Sequence, residues 1–194
     1  ARGRAGHGSL VNDANAITAL AEAVARIGRY EWPVRLTATV EAFLAEVGDA
    51  IGVELDPHDL SPVADKLGAV TALVAATVRN TANPTMLDAG YKVNVIPQEA
   101  TAHIDGRFLP GYEEEFYATI DELLGPDVRR ETVHGDIALE TSWDGDLVEA
   151  MKESIHAEDP QGKAVPYCLF GGTDDKSFSL LGIRGFGFSP LRLT

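Results

Sequence analysis

A chain of 194 residues, 45% of them hydrophobic, holds one large domain or two small ones, with enough apolar material for a core. Its formal net charge of -14, from 16 Lys and Arg against 30 Asp and Glu, argues against nucleic acid and anionic membrane as partners, since both would be repelled. The single cysteine, Cys168, rules out an internal disulfide and fits a reducing, cytoplasmic compartment, and no apolar run approaches a membrane span.

The first eight residues lack a hydrophobic signal core and an initiating methionine, so the start is expected to lie inside a longer protein. Residues 3–9, GRAGHGS, place three glycines and His7 just before a helix. With Asn12 or Asp13 as N-cap, Ala14, Ile17, Leu20, Ala21, Val24 and Ile27 form one apolar stripe, ending near Gly28. Trp32-Pro33 breaks this pattern, and Val34 and Leu36 read as extended. Helical spacing returns at Val40, Phe43, Leu44, Val47 and Ile51. After turns at Pro57 and Ser61-Pro62 it resumes at Leu67, Val70, Leu73, Val74 and Val78, so residues 39–79 are expected as a helical insertion. Asn83-Pro84 and Asp88-Ala89-Gly90 frame a further short strand.

The most informative stretch is residues 93–111, VNVIPQEATAHIDGRFLPG. Ala100, Ala102, Ile104, Gly106 and Phe108 alternate with Thr101, His103, Asp105 and Arg107, which predicts a strand with one dry and one wet face. Residues 94–97 read as a short strand stopped by Pro97, with Gln98-Glu99 as a turn and the two strands pairing antiparallel. A helix follows, opened by Glu113, Glu114 and Glu115 and apolar at Phe116, Ile120, Leu123 and Leu124. Carboxylates in a first turn suit the helix dipole, and that is preferred over a metal site. Residues 128–133 read as a strand. With one more strand ahead of Ala1, this order gives an α+β, ferredoxin-like split βαβ sandwich.

From Asp144 the texture changes to alternating helix and apolar strand: a helix through Leu147, Val148, Met151 and Ile155, a strand at 165–170, a helix to Leu181 and a strand at 183–188. This is the pattern of a partial α/β domain.

The residues alone leave two readings of each candidate site. His7 sits on a backbone able to bring an imidazole to a ligand, or is simply a surface-loop histidine. Arg107 could grip a carboxylate through paired charge-assisted bonds, or pair with Asp105 on the same strand face. Gly171-Gly172-Thr173 lies between strand and helix, where open α/β sheets bind ligands, or is a tight turn with Thr173 or Asp174 as N-cap. No HExxH or CxxC pattern occurs, so no metal site is expected within the chain. Cys168 reads as a core residue.

Taken together, GRAGHGS followed by DANAITAL, then NVIPQEATAHIDGRFLPG, GGTDDKSF and GIRGFGFSP, resemble the dinuclear zinc peptidase and deacylase family. That family includes aminoacylase, acetylornithine deacetylase, succinyl-diaminopimelate desuccinylase, carnosinase and glutamate carboxypeptidases. The resemblance implies that residues 1–135 are a ferredoxin-like lid and dimerisation domain and that 136–194 are the C-terminal part of a catalytic domain. By position, it implies that His7 helps stabilise an oxyanion in the partner subunit, that Asn94 lies near the substrate and that Arg107 binds its carboxylate. Gly171, Gly172 and Thr173 would line the pocket. Gly106 and Asp175 depart from the residues usual there. The parent would use two zinc ions, held outside this chain, to cleave amide bonds in N-acyl amino acids or peptides, leaving this chain alone inactive. The competing expectations are a non-catalytic ferredoxin-like module that dimerises or senses a small ligand, and simple anion binding at GRAGHGS.

Overall fold

The computed structural model describes residues 1–59, 70–169 and 171–190. Leu67, the Ser61-Pro62 turn and Phe170, used in the sequence reading, lie outside them. The chain forms two compact units, the first from Ala1–Pro33 with Asn80–Gly135 and the second from Val34–Arg79 with Asp136–Thr194. Residues 39–79, expected as an insertion of the first domain, thus fall in the second unit with 136–194.

The first unit is α+β. Helix α1 (Ala16–Arg29) starts at Asn15, not at Asn12 or Asp13. Asn15 Oδ1 accepts the amides of Ile17 and Thr18 at 2.9 and 3.3 Å. The earlier candidates are engaged elsewhere: Asn12 donates to the Arg4 carbonyl at 2.7 Å and Asp13 pairs with Arg4. The buried stripe is Ala16, Leu20, Ala23 and Ile27, while Ile17 faces out. Small residues bring the helix close to the sheet, and Ala16 and Leu20 pack on Ala100. A Cβ at Gly3 would collide with the Ala14 carbonyl and the Ala16 amide, so glycine lets the chain cross the helix start.

Strands β1 (Gly6–His7), β2 (Thr81–Ala89), β3 (Val95–Ile96) and β4 (Ala100–Arg107) form two antiparallel pairs, β1 with β3 and β2 with β4. The expected hairpin between 94–97 and 100–108 is therefore not formed. β4 takes β2 along its length, from Ala89 opposite Ala100 to Thr81 opposite Arg107, and the residues before it pair with the N-terminal chain. Nine-residue β2 offers β4 a full ladder that a four-residue segment cannot match. A bulge at Thr85, between Pro84 and Met86, accommodates the proline within β2. β4 alternates as expected, with Ala100, Ala102, Ile104 and Gly106 more buried than their neighbours.

Helix α4 (Glu113–Leu124; α3 belongs to the second unit) covers the dry face. Phe116 and Ile120 pack with Ile27, Trp32 and Ala82, and the Trp32 and Phe116 rings stack with centroids 5.0 Å apart. Burying each such side chain contributes about 1.5–3 kcal/mol. Arg26 of α1 donates to the Leu123 and Leu124 carbonyls at 2.7 and 2.8 Å, satisfying the end of α4. Residues 128–133 form no strand.

The second unit contains α2 (Ala38–Ile51), α3 (Val70–Thr77), α5 (Asp146–Glu158) and α6 (Asp175–Ser179). Thr37 caps α2, and Gly52, with φ of 67°, ends it in the left-handed conformation that glycine adopts without strain. Val40, Phe43, Leu44, Val47, Leu55, Val74 and Val78 make the core, joined by Val165 and Cys168. The expected strands at 165–170 and 183–188 are not formed among the described residues. Apolar side chains suffice to pack 165 and 168 on α2, but a strand also requires a ladder partner, and these segments have none there.

Candidate functional site

His7 and Asn94, 87 residues apart in sequence, meet because β1 and β3 pair. His7 stands opposite Val95, and the Gly8 amide donates to the Asn94 carbonyl at 2.9 Å. The turn before β3, closed by the Val95 amide on the Lys92 carbonyl at 3.1 Å, presents the Asn94 side chain to the imidazole. The Asn94 amide nitrogen and His7 Nε2 are 3.3 Å apart. On the other side of the ring, Ser9 Oγ lies 2.7 Å from Nδ1 and the Ser9 amide donates to Nδ1 at 3.3 Å. All three residues are exposed. Ser9 entered the sequence reading only as the end of GRAGHGS; its place two residues after a histidine in a turn was the available signal.

Arg107 ends β4, opposite Thr81. The β1–β3 ladder lies on residues that precede Ala100, and Arg107 stands at the opposite end of β4, a strand about 23 Å long at ~3.3 Å per residue. The structure thus joins two of the expected site residues in one chain and sets the third apart. Arg107 holds Asp105 through Nε and Nη2 at 2.6 and 2.9 Å. This hydrogen bonding lowers the Asp105 carboxyl below its ordinary range and raises the guanidinium above its own.

Gly171, Gly172 and Thr173 are exposed and lead into α6, where the Thr173 carbonyl accepts the Lys176 amide at 3.3 Å. Asp174 occupies the N-cap position without a side-chain cap bond. Asp175 lies against Gly185, where a Cβ would collide with its carboxylate. Among the described residues no three His, Cys, Asp or Glu side chains cluster closely enough to hold a metal ion.

These features define an α+β domain that carries the polar His7–Asn94 pair on a short exposed ladder. The family profile described as the peptidase dimerisation domain of the M20 family matches residues 1–130, and the chain belongs to that family, as its motifs led one to expect. Among solved structures, the M20 family metallo-carboxypeptidase Sso-CP2 from Sulfolobus solfataricus is similar at 21% identity, with a TM-score of 0.55, over 92% of this chain and 51% of that one. The likeness is one of fold, and the chain spans about half the length of that structure. No curated protein matches the chain.

Proposed function

We propose that this chain supplies the dimerising and substrate-gripping part of a zinc-dependent amidohydrolase that cleaves an amide bond in N-acyl amino acids or peptides bearing a free carboxylate. The observation that carries the reading is the approach of His7 and Asn94 to 3.3 Å across the β1–β3 ladder. In this reading His7 donates a hydrogen bond to the oxyanion that forms on the attacked carbonyl, Asn94 lies beside it, and Arg107 binds the carboxylate. Removing one such donor typically costs about 10²–10³ in rate. Gly171, Gly172 and Thr173 line the pocket of the whole enzyme. In this reading the two zinc ions are held by residues outside this chain, and no step here runs through them.

The position of Arg107 at the end of β4 opposite the one that leads back to the β1–β3 ladder supports a composite site, in which one subunit gives His7 and Asn94 and the other gives Arg107. Met86, Leu87, Tyr91 and Val93, all exposed along the end of β2 and the turn after it, supply apolar surface for a homodimer contact. The test is to co-express His7→Ala and Arg107→Ala subunits of the whole enzyme and assay at a substrate concentration where each by itself is strongly impaired. In a composite site half of the random dimers carry one intact site, which restores roughly a quarter of wild-type activity. No recovery counts against action across the interface. If both single variants retain full turnover, the chain is a non-catalytic dimerisation or ligand-sensing module.

A further inference from the structure

We infer that Ser9 is a positioning residue that fixes the tautomer of His7, keeping the ring proton on Nε2. Three groups surround the imidazole: the Ser9 amide at 3.3 Å and Ser9 Oγ at 2.7 Å, both on Nδ1, and the Asn94 side chain at 3.3 Å from Nε2. A neutral imidazole carries one N–H and one acceptor nitrogen, so these contacts cannot be assigned independently.

Two of the three groups adapt. The Ser9 hydroxyl rotates to donate or accept, and the Asn94 amide turns over to present either nitrogen or oxygen. The Ser9 backbone N–H does neither. It is held by the turn after β1, which the Leu10 amide closes on the His7 carbonyl at 3.0 Å, and it points at Nδ1. A proton on Nδ1 would set two donors against each other at 3.3 Å. Nδ1 is therefore the acceptor, the Ser9 hydroxyl adds a second and shorter donor to it, and Nε2 carries the hydrogen. Asn94 then turns its carbonyl oxygen to Nε2–H, which holds the ring in plane until a stronger acceptor arrives.

The consequence for turnover rests on the reading of His7 as the oxyanion donor, because only an Nε2–H ring can donate from the edge that faces Asn94. The tautomer itself does not depend on that reading. Long-range ¹H–¹⁵N correlation spectra of the intact protein, labelled with ¹⁵N at histidine and held at a pH where the ring is neutral, report which ring nitrogen of His7 is protonated. The expected result is Nε2–H in the wild type. Ser9→Ala keeps the backbone donor, so Nε2–H stays the main form there, whereas Ser9→Pro, which removes that amide N–H, shifts the His7 signals toward a mixture of tautomers. His58, His103, His134 and His156 serve as internal controls for folding in each variant. In the whole enzyme, Ser9→Pro lowers kcat about fivefold with KM unchanged, the size of one hydrogen bond, and Ser9→Ala, which keeps the amide, does not. A proton on Nδ1 in the wild type, or a tautomer ratio unmoved by Ser9→Pro, overturns the inference. Nε2–H together with full activity in His7→Ala upholds the tautomer and overturns the catalytic reading.

Discussion

Asp105 and Arg107, two residues apart on the wet face of β4, are joined by two parallel hydrogen bonds of 2.6 and 2.9 Å. Both alternatives left open by the sequence therefore bear on one side chain. Asp105 occupies the Nε–Nη2 edge of the partly exposed guanidinium, so a second carboxylate would have to bind at the Nη1–Nη2 edge. The same carboxylate also neutralises part of the charge that a substrate would feel.

From this pairing, Asp105→Asn in the whole enzyme is expected to lower KM for carboxylate-bearing substrates about threefold to tenfold, while Arg107→Ala raises KM by a larger factor. Steady-state kinetics on a substrate and its carboxamide check both. Because the pair is exposed, Asp105→Asn should change folding stability by less than about 1 kcal/mol.

Gly106 lies under Phe116, whose Cζ would be 2.5 Å from a Cβ at that position. Gly106→Val is expected to force the ring out of its stack on Trp32 and cost about 1–3 kcal/mol in thermal unfolding. Pairing it with Phe116→Leu should return part of that loss, since the smaller side chain vacates the space; strict additivity of the two changes would contradict this packing.

Asn80 is 2% exposed, and its Oδ1 accepts the Leu109 amide at 2.8 Å, tying the start of β2 to the segment after β4. Asn80→Ala leaves that amide buried without a partner. A loss of about 1–3 kcal/mol is expected in denaturant unfolding, with little change in the slope.

Glu140 accepts the Thr39 amide at 2.8 Å at the start of α2. Burial raises its pKa, but hydrogen bonds from Thr39 and Thr37 outweigh burial and leave it below the ordinary 4.5. The folded value being the lower one, this carboxylate contributes stability fully above about pH 4.5 and loses it as pH falls through the depressed value. Glu140→Gln should lower Tm by a few degrees at pH 7, roughly the worth of a helix-start carboxylate. The difference from wild type should close on acidification. A gap that stays constant down to pH 3 would refute this account.

Leu87 and Tyr91 are 66% and 84% exposed. If they belong to the subunit contact, Leu87→Asp combined with Tyr91→Asp should shift the mass measured by sedimentation from dimer toward monomer, because burying two carboxylates in an apolar contact is strongly unfavourable. The unfolding midpoint of the separated chain should stay close to that of the wild type.

Local patterns were legible wherever neighbours in sequence decide the outcome. The period-two alternation of residues 100–107 gave the dry and wet faces of β4, and Val40, Phe43, Leu44 and Val47 marked the buried side of α2. The N-cap of α1 was misplaced by a few residues because Asn12 and Asn15 are equally good caps until Asn12 is drawn to the Arg4 carbonyl, a contact made by the crossing of the N-terminal chain. The strands at 128–133, 165–170 and 183–188 were over-read because apolar residues there suggested burial, whereas Val133, Leu169, Ile183 and Phe188 are exposed and a ladder depends on a partner that no local pattern names.

Taken by itself, the chain's amino-acid order determined its periodicities, its turns and the presence of His7, Asn94 and Arg107 in segments of the expected character. Tertiary structure decided which of them meet: β1 chose β3, setting His7 beside Asn94, and β4 chose β2, carrying Arg107 to the far end. Side-chain alternation is a property of one strand, whereas pairing is a competition among all available edges. Only the folded chain resolves that competition.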